Sequence, residues 1–450
     1  MKKTQWLAVA VATASLIALS GCTGTSSGGD KTIKVAFEDF GGPQYATYFG
    51  KVAKEFEAAN PGDKVVLEPI KAAENDYYTK LGLMNQSAST APDVLYEDTF
   101  LIKSDAAAGY LAPLNSYLSK WSDWSQFYSN AKAAGEGDNG KTYGVSMGTD
   151  TRALWYNKSI FKQAGIPTPW KPKNWEDILA AAKTIKAKVP NVTPINVFAG
   201  TAAGEATSMQ GFEMLDYGAK NGGLTDTSNG KWLTNSAAFT DSLTFMKDVY
   251  SQNLGFPPQV TSNTNYQSLV GTEYIPQGKL AIDLDGSWLP TNWEKGGGTP
   301  WPQWTTTMGY TPMPTQDGQA PGSISMSGGW TLGVGSKSKA PDEAFKFIEL
   351  ALNKANSLDF DINLSQIPVR KDVGTDPKYT GSNPSAAFFS SLVANTHFRP
   401  ATTDYSKISN QIQVATNGVI SGQQSPVAAT QAYDQALTGI VGPTKTKKAE

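Results

Sequence analysis

The residues with the most distinctive chemistry in this chain follow strand-like, apolar segments. The segment TIKVAF is followed by Asp39, Gln44 and Tyr45, and the segment DVLYE is followed by Asp98. Ligands of open α/β sheets bind just beyond the carboxyl ends of the strands, so the sequence predicts that these side chains face one site. The same rule, together with a Gly-Gly turn, adds a second set from later in the chain: Asp150, Arg152, Trp288, Trp330 and Arg399.

Together these residues offer carboxylates, an amide, two guanidinium groups and aromatic rings, without a cofactor fingerprint. Sugars need this mixture, because their hydroxyl groups pair with polar side chains while their apolar C–H faces stack on aromatic rings. A hydrogen bond to a charged group is about twice as strong as a neutral one. An analogue that lacks the hydroxyl leaves the buried group unpaired, which gives specificity. The set therefore favours a carbohydrate site.

Structural alternatives stay open for several of these residues. Asp98 and Asp150 are also suited to capping helices, and Arg152 is also suited to pairing with Asp150. Arg370 is expected to brace a crossing between lobes, and His397 to be structural or part of a pocket wall. Asp285 would support the turn before Trp288. Core positions are expected for three tryptophans at helical or strand spacing: Trp155, Trp175 and Trp232.

Alternating strands and helices must position these residues. Strands are expected at 32–37, 64–69 and 93–97, with helices at 74–88 and 236–252. A further helix begins after Asn174, and a last one begins after Ser425 with proline at its first position. This alternation predicts an α/β fold with a largely parallel sheet. The segment 292–318, rich in Gly, Pro and Trp, is interpreted as an ordered functional loop.

The composition of the chain argues against nucleic-acid binding and against metal binding. The chain has 450 residues with a formal net charge of −2, so nothing favours a nucleic acid as a partner. One cysteine and one histidine provide neither a disulfide nor a usual zinc site, and no metal is expected. Only three of the 38 basic residues are arginine, which favours special use of the planar guanidinium group.

The single cysteine, Cys22, ends an amino-terminal segment typical of export. Two lysines precede a mostly apolar run over 6–19, which suits a signal peptide and is short for a membrane span. The sequence Leu-Ser-Gly-Cys resembles the lipobox of bacterial lipoproteins. That resemblance implies a signal peptide over 1–21, a lipid on Cys22 and a flexible tether over 22–30. The alternative is an ordinary signal peptide with an incidental cysteine.

Long segments of the chain resemble the extracellular solute-binding proteins of carbohydrate ABC importers, which are related to maltose-binding protein. The resemblance rests on APDVLYEDTFLIKSDAAAGYLAPL, YGVSMGTDTRALWYNKSIFKQAGIPTPW, GKLAIDLDGSW and SGGWTLGVGSKSKAPDEAFKFIEL. In these segments Asp98 and Asp150 match carboxylates that hold sugar hydroxyls, and Trp288 matches an aromatic platform. Thr99 replaces an arginine of the maltose-binding relative, which argues against maltose itself.

The resemblance implies a type II periplasmic-binding-protein-like α/β fold with about three hinge crossings. Lobe 1 would comprise 31–145 plus about 325–370, and lobe 2 would comprise 146–324 plus about 371–445. It further implies a monomer on the extracellular face of the cell membrane, held only by its lipid anchor. The protein would bind an oligosaccharide between its lobes, deliver it to ABC permease subunits, and need neither a catalytic residue nor a cofactor.

Two alternatives remain at this stage. A glycoside hydrolase also combines paired carboxylates with aromatic subsites, although no pair in the sequence is marked as acid and nucleophile. A solute-binding protein for a non-sugar ligand, such as a peptide or polyamine, is the other. An oligosaccharide is favoured over a monosaccharide because the supply of aromatic residues, including those of 292–304, exceeds what one sugar ring can use.

The lipobox resemblance gives the first testable prediction. Cys22→Ser should release the protein from membranes or leave an uncut precursor, because the lipid would be attached through the cysteine sulfur. Membrane fractionation followed by immunoblotting measures both outcomes. A variant that still fractionates with membranes as a band of mature size would contradict a lipid anchor at this position.

Overall fold

The computed structural model describes residues 31–40 and 42–449. The predicted signal peptide, Cys22 and the tether lie outside these residues. Within the described ranges, no helix combines the length and the apolar character needed to cross a membrane.

The strands form two main sheets and two small ones. In chain order the strands are β1 Thr32–Asp39, β2 Lys64–Lys71, β3 Val94–Asp98, β4 Gly144–Thr149, β5 Arg152–Asn157, β6 Thr193–Asn196, β7 Trp232–Thr234, β8 Leu280–Gly286, β9 Met308–Thr311, β10 Met313–Pro314, β11 Ser323–Ser327, β12 Gly329–Val334, β13 Thr396–Phe398 and β14 Thr446–Lys448. The main sheets have the orders β2-β1-β3-β12-β4 and β6-β8-β5-β9, and the small ones are β10-β11-β13 and β14-β7.

Helices cover the faces of the sheets. The α-helices are α1 Gln44–Ala59, α2 Glu74–Asn85, α3 Ile102–Ala107, α4 Asn115–Leu118, α5 Ser129–Ala133, α6 Lys158–Ala164, α7 Trp175–Lys188, α8 Met214–Asp216, α9 Ala237–Ser251, α10 Pro258–Thr261, α11 Tyr266–Leu269, α12 Pro290–Trp293, α13 Trp304–Thr307, α14 Pro341–Ala351, α15 Lys354–Asn363, α16 Lys371–Gly374, α17 Pro377–Thr380, α18 Ala386–Ser391, α19 Tyr405–Ile420 and α20 Pro426–Val441. Segments of π-helix lie at Ala206–Glu213 and Val270–Tyr274, and 3-10 turns lie at Ser122–Gln126, Leu392–Asn395 and Pro443–Lys445.

The predicted helix caps are present. The Asn174 side chain accepts a hydrogen bond from the backbone N–H of Asp177 at 2.9 Å, and the Ser425 hydroxyl accepts one from Ala428 at 3.2 Å. Each bond satisfies one of the backbone donors that an α-helix leaves free at its amino terminus.

Each main sheet contains one strand that runs against the others. β12 is antiparallel to both β3 and β4, and β5 is antiparallel to both β8 and β9. Both reversed strands directly follow a crossing: β5 follows β4 of the first sheet, and β12 follows β11 of the small β10-β11-β13 sheet, which contacts β5. The carboxyl ends of the other strands face the space between the sheets. A chain that crosses this space enters the next sheet at the edge where the other strands end. Its strand is therefore antiparallel to them.

The second crossing depends on Gly329. Its φ is +141°, a conformation that residues with a side chain rarely adopt, and a Cβ atom there would lie 2.5 Å from the carbonyl oxygen of Gly148. Glycine therefore lets β12 approach β4 directly after the crossing. The expected Gly-Gly turn beside Trp330 is present here.

Strand pairing and packing show to which side of the molecule the residues near two expected lobe boundaries belong, while the boundaries themselves stay a prediction. β4 stays in the first sheet up to Thr149, beyond the expected boundary at 145. Helices α16 and α17 pack on α15, whose Phe360 belongs to the core of the first sheet, so the chain stays on this side past 370. The third crossing follows α17, because Phe389 of α18 packs in a core beside the second sheet.

Arg370 does not brace a crossing, so that expectation is wrong. Its guanidinium group donates to the Leu352 carbonyl at 2.7 Å and to the Asp123 carboxylate at 2.9 Å, and it lies over the ring of Phe127. Leu352 and Phe127 both belong to the core of the first sheet. Arg370 therefore ties elements together within one half of the molecule.

The tryptophans of the 292–318 segment form core rather than a wall over a cleft. Trp293 and Trp304 are fully buried, and their rings lie 5.7 and 6.3 Å from the ring of Trp155. Trp301 packs edge-on against Trp293. The expected core positions of Trp155, Trp175 and Trp232 are confirmed, since all three side chains are buried.

This packing yields a stability prediction. Trp293→Ala should lower the free energy of unfolding by about 3–5 kcal/mol, because it removes a fully buried ring from a dense aromatic cluster. Urea denaturation followed by circular dichroism measures the change. Val427→Ala, on an exposed surface, is the control and should change stability by less than about 0.5 kcal/mol. Equal stability of the two variants would contradict the core assignment.

Candidate functional site

A cavity of about 610 Å³ lies between the two main sheets, at the carboxyl ends of their parallel strands. All of the residues predicted for the site line it: Asp39, Gln44, Tyr45, Asp98, Asp150, Arg152, Trp288, Trp330 and Arg399. The topology explains why they meet, because these positions follow strands β1, β3, β4, β8 and β13 or begin strands β5 and β12. Whether each residue contacts a ligand stays a prediction.

One buried ion-pair network joins the two halves of the cavity. The guanidinium group of Arg399 donates to Asp98 at 2.5 Å and to Glu205 at 3.2 Å. Asp98 ends β3 of the first sheet, whereas Glu205 follows β6 of the second. The face of the guanidinium group lies 4.4 Å from the centroid of the Phe100 ring. Arg399 is therefore the positive charge that holds these two carboxylates together across the cleft.

A second ion pair lies at the first crossing. Asp150 accepts hydrogen bonds from the Arg152 guanidinium group and from the backbone N–H of Gly328, the latter at 2.8 Å. The structural pairing left open for Asp150 and Arg152 is thus formed. The guanidinium group also lies 4.7 Å from the centroid of the Trp288 ring, a cation–π distance. One face of Trp288 is covered in this way by protein.

The aromatic wall on the opposite side is built on Trp330. This ring stacks on buried Tyr96 with 4.4 Å between centroids and 2° between planes. The ring of Tyr78 lies 6.0 Å from that of Trp330, and Phe40 packs edge-on at 5.8 Å. Because Tyr96 occupies one face of the indole ring, a ligand can use only its remaining surface.

The mouth of the cavity is bridged by Gln44. Its side-chain amide donates to the backbone carbonyl of Thr291 at 2.7 Å, so α1 of the first half contacts α12 of the second. Tyr45, next to Gln44, packs against Tyr96 and Phe40 and is half-buried. These contacts, like the Arg399 network, link the two halves directly.

Sequence reasoning missed several acids and amides of the cavity. They are Glu38, Glu74, Asn75, Glu205, Gln210, Asn265, Gln267, Asn292 and Gln366, and Asp285 was assigned only a supporting role. Asp285 does support the turn, because it accepts from the Gly286 backbone N–H at 2.7 Å, and it also faces the cavity. The strand-end rule could have found Glu205, which follows β6, and Glu74, which follows β2. His397 is exposed, stacks on Tyr217 at 4.7 Å and does not line the cavity, and its structural role stays a prediction.

The sequence of residues 42–357 matches the family model described as bacterial extracellular solute-binding protein. The match covers more than half of the chain. This chain belongs to that family.

Known relatives are similar to this chain in length and in fold. The chain is 23% identical over 383 residues to a maltodextrin-binding protein of Bacillus subtilis, covering 80% of this chain and 79% of the relative. The GacH receptor of Streptomyces glaucescens, solved unliganded and with acarbose, superposes with a TM-score of 0.78 at 23% identity, covering 92% and 99% of the two chains. Maltose-bound MalE3 of T. maritima gives 0.79 at 21% identity, covering 91% and 100%. The expected two-lobed α/β fold is confirmed.

The cavity of this solute-binding protein is strongly acidic. Burial raises the pKa of Glu74 to about 7, with repulsion from Asp98 as a further cause, and burial raises the pKa of Asp285 to about 7 as well. The pKa of Glu38 is raised well above its usual range by burial and by repulsion from Glu74. Burial also raises the pKa of Glu205, against the opposing effect of Arg399. Among the described residues, no group of three or more His, Cys, Asp and Glu is arranged to hold a metal ion.

These pKa values predict how the stability of the solute-binding protein depends on pH. A carboxyl group whose pKa is raised on folding keeps its proton where the unfolded chain has lost it, so rising pH favours the unfolded chain. Stability should therefore fall between about pH 4 and pH 7, the window set by the usual value and by the value of about 7 for Asp285.

Urea titrations at pH 5 and pH 8 test this expectation. The loss of stability between the two values should be smaller in Asp285→Asn, which keeps the shape but cannot ionise. Asp317→Asn, at an exposed position outside the cavity, is the control and should retain the full loss. An identical loss in both variants would show that Asp285 is not responsible.

Proposed function

We propose that this solute-binding protein captures an oligosaccharide in the cleft between its two lobes and delivers it to the permease of an ABC importer. The observation that carries the proposal is the cavity between the sheets, where carboxylates, amides and guanidinium groups alternate with the rings of Trp288 and Trp330. The relatives support it, since proteins that cover most of this chain are named for binding maltodextrin or maltose.

The polar lining suits hydroxyl groups. Asp98 accepts from Arg399 and from the backbone N–H of Phe100 through Oδ1, while among the described residues Oδ2 has the Tyr78 hydroxyl at 2.9 Å as its only partner. A carboxylate oxygen has two lone pairs, so Oδ2 retains capacity for a sugar hydroxyl. Gln366 and Gln210 add amide groups on either side of the cleft. Such groups provide the directional contacts that distinguish one sugar from another.

The size and the walls of the cavity favour more than one sugar unit. A volume of about 610 Å³ lies in the range of sites for small organic ligands. The two indole rings belong to different sheets, as Trp288 follows β8 and Trp330 begins β12. Two separate aromatic surfaces support an elongated ligand that contacts both lobes. The specific sugar stays open.

In this proposal each lobe is built around one of the two main sheets. Lobe 1 comprises about 31–149 together with about 329–380, and lobe 2 comprises about 152–327 together with about 386–445. The strand pairing and the packing of α16 and α17 support these boundaries. A lipid on Cys22 would hold the monomeric protein at the outer face of the cell membrane, beside the permease that receives the solute. The Leu-Ser-Gly-Cys sequence supports this anchor.

Isothermal titration calorimetry with a panel of di- to tetrasaccharides, their component monosaccharides, a short peptide and spermidine tests the proposal. At least one oligosaccharide should bind more tightly than its monosaccharides, and chromatography should recover it intact, which excludes a hydrolase. Binding of the peptide or spermidine without any sugar would contradict the proposal.

Trp288→Ala should weaken binding of that oligosaccharide at least about tenfold, since about 1.4 kcal/mol corresponds to a factor of ten and the loss of an aromatic surface exceeds this value. Its melting temperature should change little, because the ring is only half-buried. Trp288→Phe, which keeps a ring, should lose less affinity. A large fall in melting temperature with unchanged affinity would make Trp288 a core residue instead.

A further inference from the structure

Charge is distributed unevenly along the cavity. The end beside Trp330 is lined by the carboxyl groups of Glu38, Glu74, Asp98 and Glu205. One guanidinium group, that of Arg399, faces them, and it is already bound to Asp98 and Glu205. The other cationic residues lining the cavity are Arg152, which pairs with Asp150, and Lys71, which is exposed and lies opposite Asp39 on the neighbouring strand. This end therefore has an excess of carboxyl groups over cations.

Two further observations show that hydrogen-bond donors are missing at this end. Glu38 is 1% exposed and lines the cavity, yet its Oε2 atom has no hydrogen-bond partner among the described residues. The Tyr78 hydroxyl lies 2.7 Å from Glu74 Oε1 and 2.9 Å from Asp98 Oδ2. The hydroxyl group of a tyrosine has a single hydrogen, so Tyr78 can donate to only one of these two carboxyl groups.

A neutral sugar hydroxyl could supply a hydrogen bond here but would add no positive charge to stabilise the ionised forms of Glu38 and Glu74, whose pKa values are raised by burial and by repulsion among these carboxyl groups. Buried charges without an opposite charge are costly, and carboxylates that share a site repel one another. An ammonium group supplies three donors and a positive charge in one small unit. The aromatic wall adds to this, because a cation within about 6 Å of an indole or phenol ring is attracted by the ring face.

We propose that the solute of this protein carries a protonated amine, as an oligosaccharide with an amino sugar unit does, and that its ammonium group binds among Glu38, Glu74 and Asp98 beside Trp330. This inference rests on the proposed function and narrows it. The amine would occupy the acidic end, while the rest of the oligosaccharide would extend towards Trp288.

Calorimetry on the whole protein at pH 7 tests the inference with matched ligands. The panel contains neutral di- and trisaccharides of glucose, galactose, mannose and xylose, the same sugars with one hydroxyl replaced by an amino group, and the same amino sugars after N-acetylation. Spermidine is included as an amine without a sugar. The best amino sugar should bind about tenfold more tightly than both its neutral and its N-acetylated counterpart, because only the charged form gains the stronger, charge-assisted hydrogen bonds.

Variants then locate the effect. Glu74→Gln should reduce the ratio of amino-sugar affinity to neutral-sugar affinity to about one, since it removes a charge but keeps the size of the side chain. Glu136→Gln, at an exposed position outside the cavity, should leave that ratio as in the unmutated protein. A ratio that does not respond to Glu74→Gln would overturn the inference.

The possible results distinguish a failure of this inference from a failure of the proposed function. Neutral or N-acetylated sugars that bind as tightly as their amino counterparts would overturn the inference and leave oligosaccharide capture standing. Binding of spermidine alone, or of no member of the panel, would overturn both.

Discussion

The buried guanidinium group of Arg399 is the interaction on which the rest of the site depends. Removing a charge from water costs several kcal/mol even after relaxation, and this cost is offset only by close partners of opposite charge. Arg399 is 7% exposed, and its partners Asp98 and Glu205 come from different sheets. The pair can form only when both sheets bring their strand ends together. In this conformation the pair therefore sets the distance across the cleft and the position of the acids that line it.

The topology provides the constraint that makes this meeting possible. Parallel strands place their carboxyl ends at one edge, and the two main sheets turn these edges towards each other. The chain crosses between them at 150–151 and at Gly328, and the reversed strands β5 and β12 begin at the cleft. Arg152 and Trp330 thus enter the site at the start of a strand rather than at its end. We expect these crossings to serve as the hinges between the two lobes.

Much of this arrangement could be predicted from the sequence. Apolar runs followed by polar residues mark strand ends, and one geometric rule placed Asp39, Asp98 and Trp288 at the same cavity. Pairing partners could not be predicted in this way: the bonds from Arg399 to Asp98 and Glu205 join residues about 300 and 200 positions apart. Glu205 was missed because no strand was predicted at Thr193–Asn196, so the strand-end rule was not applied there.

The errors have a common physical cause. Aromatic residues stack on sugars and on one another with the same surfaces, so composition alone cannot distinguish Trp293, which is core, from Trp288, which lines the cleft. Likewise, the guanidinium group of Arg370 could form hydrogen bonds between the lobes or within one lobe. Only the fold shows that it donates to Leu352 within one half of the molecule. The amino-terminal segment around Cys22 lies outside the described residues, so the anchor stays a prediction.

The central claim is that a ligand in this cleft draws the two lobes together. Moving an equilibrium from mostly open to mostly closed, from 1:99 to 99:1, needs about 5.5 kcal/mol of preferential binding to the closed form, which a ligand can supply only by contacting both lobes. Small-angle X-ray scattering with and without a saturating oligosaccharide measures this movement directly. The account predicts a smaller radius of gyration when the sugar is bound. An unchanged scattering profile under saturation would contradict it and would leave a rigid binder.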